Sequence, residues 1–146
     1  MNNFNMKVVI LAGGKGTRIS EYTKLIPKPM VQIGKKPILE HIINYYMKFG
    51  FKDFLIAGGY KSSIIKAYFK KKKISANINV INTGLESLTG KRLLKLSKEL
   101  NKTFMLTYGD GLSNVNLKKL LKFHKENKKK ITVTAVHSPA RFGELE

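Results

Sequence analysis

The chain has no cysteine. Disulfide cross-links and thiolate metal sites are therefore excluded, and with them a small secreted scaffold stapled by bridges. Acidic side chains are scarce: 9 Asp and Glu stand against 28 Lys and Arg, a formal net charge of +19. The only aspartates are Asp53 and Asp110, and the only arginines are Arg18, Arg92 and Arg141. No apolar run is long enough to cross a bilayer, and the polar opening Met1-Asn2-Asn3-Phe4-Asn5-Met6 lacks the pattern of a secretory leader. A cytoplasmic location is the expectation.

A basic excess of this size can serve nucleic acid or an acidic membrane. Its distribution speaks against both. Lysines are spread along the chain, and the runs at 70–73 and 128–130 fall where helices should end. Proteins that read base edges favour the bidentate guanidinium, of which this chain has only three. The charge reads as a lysine-biased composition that also draws small phosphorylated ligands, with no nucleic acid and no membrane as partner. In such a chain an arginine marks a place that needs a planar fork of donors.

The 146 residues suit one domain, 1–146, and 42% hydrophobic residues can build its core. Residues 7–11 read as a strand without alternation, its four residues 8–11 all apolar, as in a central parallel strand covered on both faces. Residues 12–37 are a loop punctuated by glycine and proline. Apolar residues at 38, 39, 42, 43, 46 and 49 have helical spacing, and Gly50 ends it. Further strands are expected at 53–57, 78–81, 103–108 and 131–136. Helices are expected at 62–69, capped by Ser62 or Ser63, at 90–100, and at 117–127, capped by Asn116. The alternation predicts an α/β fold with a mainly parallel sheet and helices on both faces. Ligands of such sheets bind beyond the carboxyl ends of strands. Residues 12–18, 58–61 and 109–111 all fall there. The chain stops directly after the last expected strand, so a C-terminally incomplete domain is expected.

The glycine-rich segment Leu11-Ala12-Gly13-Gly14-Lys15-Gly16-Thr17-Arg18 satisfies neither common phosphate motif. Ile19 stands where a dinucleotide fingerprint needs its third glycine, and Gly14-Lys15-Gly16 fails the P-loop spacing. A structural turn is the plain alternative. What favours an anion site is Arg18 and Lys28 beyond the glycines. Pro27 and Pro29 clamp Lys28 in extended backbone, holding its amine at small entropic cost. Asp110 follows an apolar strand between two glycines, so its carboxylate can approach a ligand; an Asx turn is the alternative.

These segments, with Pro27-Lys28-Pro29-Met30 and Gly34-Lys35-Lys36-Pro37-Ile38, resemble the signature of the sugar-1-phosphate nucleotidylyltransferases. Gly59-Tyr60-Lys61, Thr89-Gly90-Lys91-Arg92-Leu93, Thr107-Tyr108-Gly109-Asp110-Gly111 and Arg141-Phe142-Gly143 are most similar to the cytidylyl branch. Lys91 departs from that branch, which usually has a second glycine there. The resemblance covers residues 6–146. It implies a Rossmann-like three-layer sandwich, the glycosyltransferase-like nucleotide-diphosphosugar transferase fold. It implies CTP and a sugar 1-phosphate, glucose 1-phosphate, as substrates. The products would be pyrophosphate and CDP-glucose, a precursor for deoxysugar and O-antigen polysaccharide.

By the same resemblance the backbone of Leu11, Ala12, Gly13 and Gly14 would contact base and ribose. Gly16, Thr17 and Arg18 would hold the departing phosphates, and Lys28 would bridge the α-phosphate and the sugar phosphate. Ser87, Thr89, Gly90, Arg92 and Gly109 would contact the nucleotide or substrate, and Asp110 would bind Mg²⁺. Arg18 and Lys28 would be the catalytic pair. Family members carry a further C-terminal segment with a second metal-binding aspartate, and a homo-oligomer is implied for the full-length form. Weak or absent turnover with part of the nucleotide binding kept is therefore expected of residues 1–146 alone. A uridylyl- or thymidylyltransferase and a non-catalytic nucleotide-sugar sensor remain alternatives.

The other polar residues carry less. Asp53 begins its strand beside Lys52, His41 lies among isoleucines, and His124 flanks the 117–127 helix; all read as structural. Tyr45 and Tyr46 read as core or flank before a stacking platform. His137 could approach a site from its strand end, and Arg141 is a candidate for the sugar side. Arg92 is open between ligand contact and a surface helix start. A cation at a helix N-terminus opposes the macrodipole, which favours the ligand.

Overall fold

The structure, a computed structural model, describes residues 4–17, 20–100 and 102–136. The chain divides into two compact units between Asn114 and Val115. The first is built on β1 (Phe4–Ala12), the expected central strand. Val8, Val9 and Ile10 have no solvent exposure, so the strand is covered on both faces, and the unbroken apolar run follows from that.

After β1 the polypeptide makes α1 (Ser20–Thr23), a 3-10 turn at Lys28–Met30, and a small antiparallel pair, β2 (Gln32–Ile33) and β3 (Lys36–Pro37). Residues 12–37 are thus more ordered than the loop read from glycine and proline content. Then come α2 (Ile38–Lys48), β4 (Phe51–Gly58), α3 (Ser62–Lys71), β5 (Asn77–Asn82), α4 (Thr89–Lys95), a 3-10 turn at Ser97–Glu99, and β6 (Met105–Tyr108). The sheet order is β5-β4-β1-β6, all parallel, with Ile10 registered between Ile56 and Thr107. Gly50 takes φ 93°, a left-handed turn that lets α2 reverse directly into β4.

Alternation along the strands splits the core into two layers. Val9, Leu11, Leu55 and Ala57 form one face, packed with Leu96 and with Leu93, Leu100 and Phe104. The opposite face carries Ile10 and Thr107. Tyr46 of α2 hydrogen-bonds Thr107 there and meets the Phe51 ring edge-on at 5.8 Å. Helices therefore flank both faces of a parallel sheet, the architecture expected from the alternation of elements.

Three expectations need correction. Residues 90–100 are not one helix; α4 ends at Lys95 and a 3-10 turn follows. Neither Ser62 nor Ser63 caps α3: the cap position is Lys61 in left-handed conformation, φ 48°, with no side-chain cap. Residues 131–136 form no strand, and Ile131, Val133 and Val136 are exposed. Their β-branched alternation expresses only a preference for a pleated, half-buried surface, and a strand also requires a neighbour to complete its ladder. In the second unit, α5 (Leu117–Asn127) is capped as expected, the Lys119 N–H donating to Asn116 Oδ1 at 3.0 Å.

One buried carboxylate joins α2 to the elements on either side. Glu40 is 2% exposed. It accepts a hydrogen bond from the Tyr68 hydroxyl of α3 and pairs with Lys36 Nζ at 3.2 Å and Lys72 Nζ at 3.5 Å. Burial pushes its carboxyl up, but the Tyr68 and Lys36 hydrogen bonds and the Lys72 charge outweigh burial and hold it below the ordinary value. Burial and the adjacent Glu40 push the Tyr68 phenol up to about 12. The Glu40 contribution to stability is therefore complete above a pH of about 4.3 and is lost as pH falls through the depressed value. The Tyr68 contribution is complete below a pH of about 10 and is lost as pH climbs towards about 12. Glu40→Gln should lower stability by about 1–3 kcal/mol at pH 7 in a denaturant titration. The gap to the parent should close on acidification through the carboxylate range; a gap that does not change with pH would contradict this assignment.

Candidate active site

The strand order reverses beside β1: the chain runs outward through β4 and β5, then returns to place β6 on the other side. At this switch point the helices and loops leaving the two central strands diverge and open a crevice. A cavity of about 350 Å³ lies there, walled by the ends of β1 and β6, the glycine loop, Lys28 and Pro29, and Ser87, Leu88, Thr89 and Arg92. A smaller hollow of about 150 Å³, lined by Lys7, Asp53 and Glu99, lies at the opposite, amino end of the sheet. Its Lys7 and Glu99 are already closed into an ion pair at 2.8 Å.

The glycine loop is braced from below. Gly16 has φ 67°, and a Cβ there would stand 2.8 Å from Thr23 Cγ2. The Thr23 hydroxyl donates to Gly16 O at 3.1 Å, and the Tyr60 hydroxyl donates to Thr23 O at 3.0 Å. The Tyr60 N–H reaches Gly13 O at 3.2 Å, and Lys61 Nζ donates to Lys24 O. Gly59-Tyr60-Lys61 therefore anchors the loop from the end of β4, a role that pattern alone did not show. Gly14 is open, with nothing within 4 Å of where its Cβ would stand, and it lines the cavity with Gly13 and Thr17.

Arg92 is the one buried cation among the described residues, 5% exposed. Its Nη1 donates to Gly58 O at 3.1 Å, Thr83 Oγ1 at 2.7 Å and Gly84 O at 2.8 Å. Its Nη2 donates to Gly13 O at 2.9 Å and Leu85 O at 3.2 Å. Burial pushes the guanidinium down from its ordinary value. The surface helix start is excluded: Arg92 touches the cavity but spends its donors on the loops around it. Lys95 adds a second cation behind the same turn, Nζ donating to Thr83 O at 2.8 Å. The Ser87 hydroxyl is also engaged, donating to Thr83 O at 2.6 Å. Thr89 lines the cavity at the start of α4, and Gly90 is not part of its wall. Lys15 Nζ meets Glu86 at 2.8 Å, joining the glycine loop to residues 83–88 at the exposed rim.

Across the cavity stand Lys28 and Asp110. Pro27 is extended (φ −70°, ψ 148°) and Pro29 is buried, but Lys28 is not in the extended backbone expected of it: it is the first residue of the 3-10 turn, where Pro29 needs no N–H donor. Lys28 Nζ lies 2.5 Å from Asp110 Oδ2, and the two side chains are 32% and 33% exposed. Sequence reasoning chose both residues separately but gave no sign that they pair. Gly109, between β6 and Asp110, is buried, and its N–H donates to Leu11 O at 2.9 Å. This bond ties the loop after β6 to the end of β1. A Cβ on Gly109 would sit 3.0 Å from Pro29 Cγ.

Leu11, Ala12, Gly13, Gly14, Gly16, Thr17, Lys28, Ser87, Thr89, Arg92, Gly109 and Asp110 thus come together around one cavity. Arg18, His137 and Arg141 lie outside the described residues. The residues read as structural are engaged elsewhere. Asp53 accepts from Asn77 Nδ2 at 3.0 Å, His41 Nε2 meets Ile33 O at 3.0 Å, and His124 Nδ1 meets Thr132 Oγ1 at 2.8 Å. No group of three or more His, Cys, Asp or Glu among the described residues forms a ready-made metal cage. No helix among them is long and apolar enough to cross a membrane.

Comparison with known proteins agrees with the geometry. The chain is 42% identical to the glucose-1-phosphate cytidylyltransferase of Salmonella typhimurium over 97% of its own length and 64% of that protein's. It thus spans less than two thirds of that relative. The D-glycero-alpha-D-manno-heptose 1-phosphate guanylyltransferase of Campylobacter jejuni is 45% identical over 50% of this chain and 33% of that protein. Among solved structures, HddC from Yersinia pseudotuberculosis complexed with GMP-PN matches with a TM-score of 0.70 and 29% identity, over 82% of this chain and 54% of that one. The nucleotidyl transferase family model matches residues 7–144. That match spans most of the chain, and the chain belongs to the nucleotidyl transferase family.

Proposed function

We propose that the cavity serves cytidylyl transfer from CTP to glucose 1-phosphate. A phosphate oxygen of the sugar phosphate attacks the α-phosphorus of CTP. The bond from that phosphorus to the oxygen bridging to the β-phosphate breaks, and pyrophosphate leaves, giving CDP-glucose. Two anions must be brought together, and no covalent intermediate with the protein is needed. Positioning and charge neutralisation can then supply most of the rate.

The observation that carries this reading is the amine of Lys28, held opposite a carboxylate inside a glycine-loop cavity. A lysine ammonium is a compact charge with three donors, so it can touch both phosphate groups at once. Proline on both sides keeps it in place before substrate arrives. Open backbone at Gly14 offers room for close approach of a ligand. Thr17, and Arg18 by family resemblance, are proposed for the departing phosphates.

Asp110 is the proposed ligand for Mg²⁺. A single hard carboxylate in an open cavity suits an ion that keeps several waters and takes its other oxygens from phosphates. When bound, the ion would neutralise phosphate charge. Lys28 pairs with Asp110, so phosphate capture by the amine must compete with that pair. The relatives include a guanylyltransferase, so base choice is tested directly, by comparing pyrophosphate release with CTP, UTP, dTTP and GTP.

Lys28→Ala should lower pyrophosphate release by about 100-fold or more while CTP binding weakens far less. Equal, small losses in both would favour a nucleotide-sugar sensor. Asp110→Asn should abolish the Mg²⁺ dependence of CTP binding, measured as the shift in melting temperature with CTP at increasing Mg²⁺. An undiminished Mg²⁺ response would place the ion elsewhere.

A further inference from the structure

Thr23 is buried, 4% exposed, and stands behind the glycine loop rather than in the cavity wall. Its hydroxyl donates to Gly16 O at 3.1 Å, and its own carbonyl accepts from the Tyr60 hydroxyl at 3.0 Å. Tyr60 is in turn held at both ends. Its N–H donates to Gly13 O at 3.2 Å, and Lys61 Nζ lies 5.3 Å from the centre of its ring while donating to Lys24 O. Lys61 reaches both from left-handed backbone, φ 48°. A residue with a Cβ adopts that conformation at a cost, and keeps it where its surroundings impose it.

Gly16 is where this brace meets the cavity. Its φ is 67°, and a Cβ there would stand 2.8 Å from Thr23 Cγ2 and 3.1 Å from Lys28 Cβ. Only bare backbone lets Thr23 and the root of the Lys28 side chain pack against the same residue. The peptide from Gly16 to Thr17 is trans, so its N–H points opposite to its C=O. With Gly16 O held by Thr23, the Thr17 N–H is turned away from Thr23, at an exposed residue that lines the cavity.

We infer that Thr23 and Tyr60 are positioning residues for the phosphate half of the ligand. Neither touches the ligand. Together they set the Thr17 N–H and the stem of Lys28 at one spacing before the phosphates arrive. This rests on the nucleotide reading above, in which the departing phosphates meet Thr17 and the reacting ones meet Lys28. Donors oriented in advance need not be ordered on binding, and that saving appears as affinity. Position 23 needs a hydroxyl for this, because valine has nearly the same shape and no donor to give Gly16 O.

The test compares binding of CTP and of inorganic tripolyphosphate, which keeps the phosphates and lacks the nucleoside, by titration calorimetry. With T23V, tripolyphosphate affinity should fall by about fivefold or more, and CTP affinity should fall by the same factor because it carries the same phosphates. T23S keeps the hydroxyl and should hold both affinities within about twofold of the parent. Circular dichroism melts verify that the variants are folded at the titration temperature. Should T23V fail to fold, Y60F decides, since it removes only the hydroxyl 3.0 Å from Thr23 O; both affinities should then weaken by about threefold. Folded variants that melt lower but bind both ligands as the parent does would leave Thr23 and Tyr60 a structural part only and overturn the proposal. A larger loss for CTP than for tripolyphosphate would put the effect on the nucleoside and overturn it too; either result leaves the nucleotide reading intact. A parent chain that does not bind CTP, or whose bound CTP tripolyphosphate does not displace, would overturn both.

Discussion

The site follows from the position of β1. It is hydrogen-bonded on both edges, by β4 and β6, and three of its residues have no exposure on either face. Such a strand can offer chemistry only where it ends. The segments that wall the cavity converge on that end, and backbone bonds of ordinary length brace the loop that leaves it. Gly109 N–H to Leu11 O and Tyr60 N–H to Gly13 O join the loops after β6 and β4 to the loop after β1. The glycine loop is thus neither a free tether nor a ligand-shaped accident of composition. It is the one outlet of a sealed strand, braced by its neighbours.

The chain handles its positive charge in two ways. Most lysines stay at the surface, where their solvation costs nothing and their pairs contribute little. Lys28 and Arg92 are the exceptions that shape the site. Lys28 is partly exposed and meets Asp110, so its charge is neutralised by a partner that can be exchanged. Arg92 is buried and meets no carboxylate among the described residues; carbonyl dipoles and the Thr83 hydroxyl satisfy it. A buried cation held this way costs desolvation energy, and that cost is tolerable because every donor used finds an oxygen and three loops are joined in return.

Much of the fold was legible beforehand. The strands 7–11, 53–57 and 78–81, the helix 38–49 and the Asn116 cap follow from runs, spacing and punctuation. The failures share a cause. The segment 131–136 has strand composition but no ladder, Lys61 starts α3 in left-handed backbone, and the stretch at Thr23 and Lys24 is held by Tyr60 and Lys61. In each case the deciding partner is distant in sequence, so local preference could not name it. For the site, the scarcity of arginine marked Arg92 correctly as a place for a planar fork, but the fork grips carbonyls.

What the sequence alone determined is what depends on neighbours along the chain: a buried parallel strand, a glycine turn at its end, a proline-clamped lysine, and an aspartate between glycines. These are set by steric freedom, φ restriction and hydrophobic period, all local quantities. What only the tertiary structure decided is who meets whom. The Lys28–Asp110 pair spans 82 residues and the Arg92–Gly13 bond spans 79. No local rule reaches that far, because such contacts exist only after the sheet has brought the ends of β1, β4 and β6 side by side.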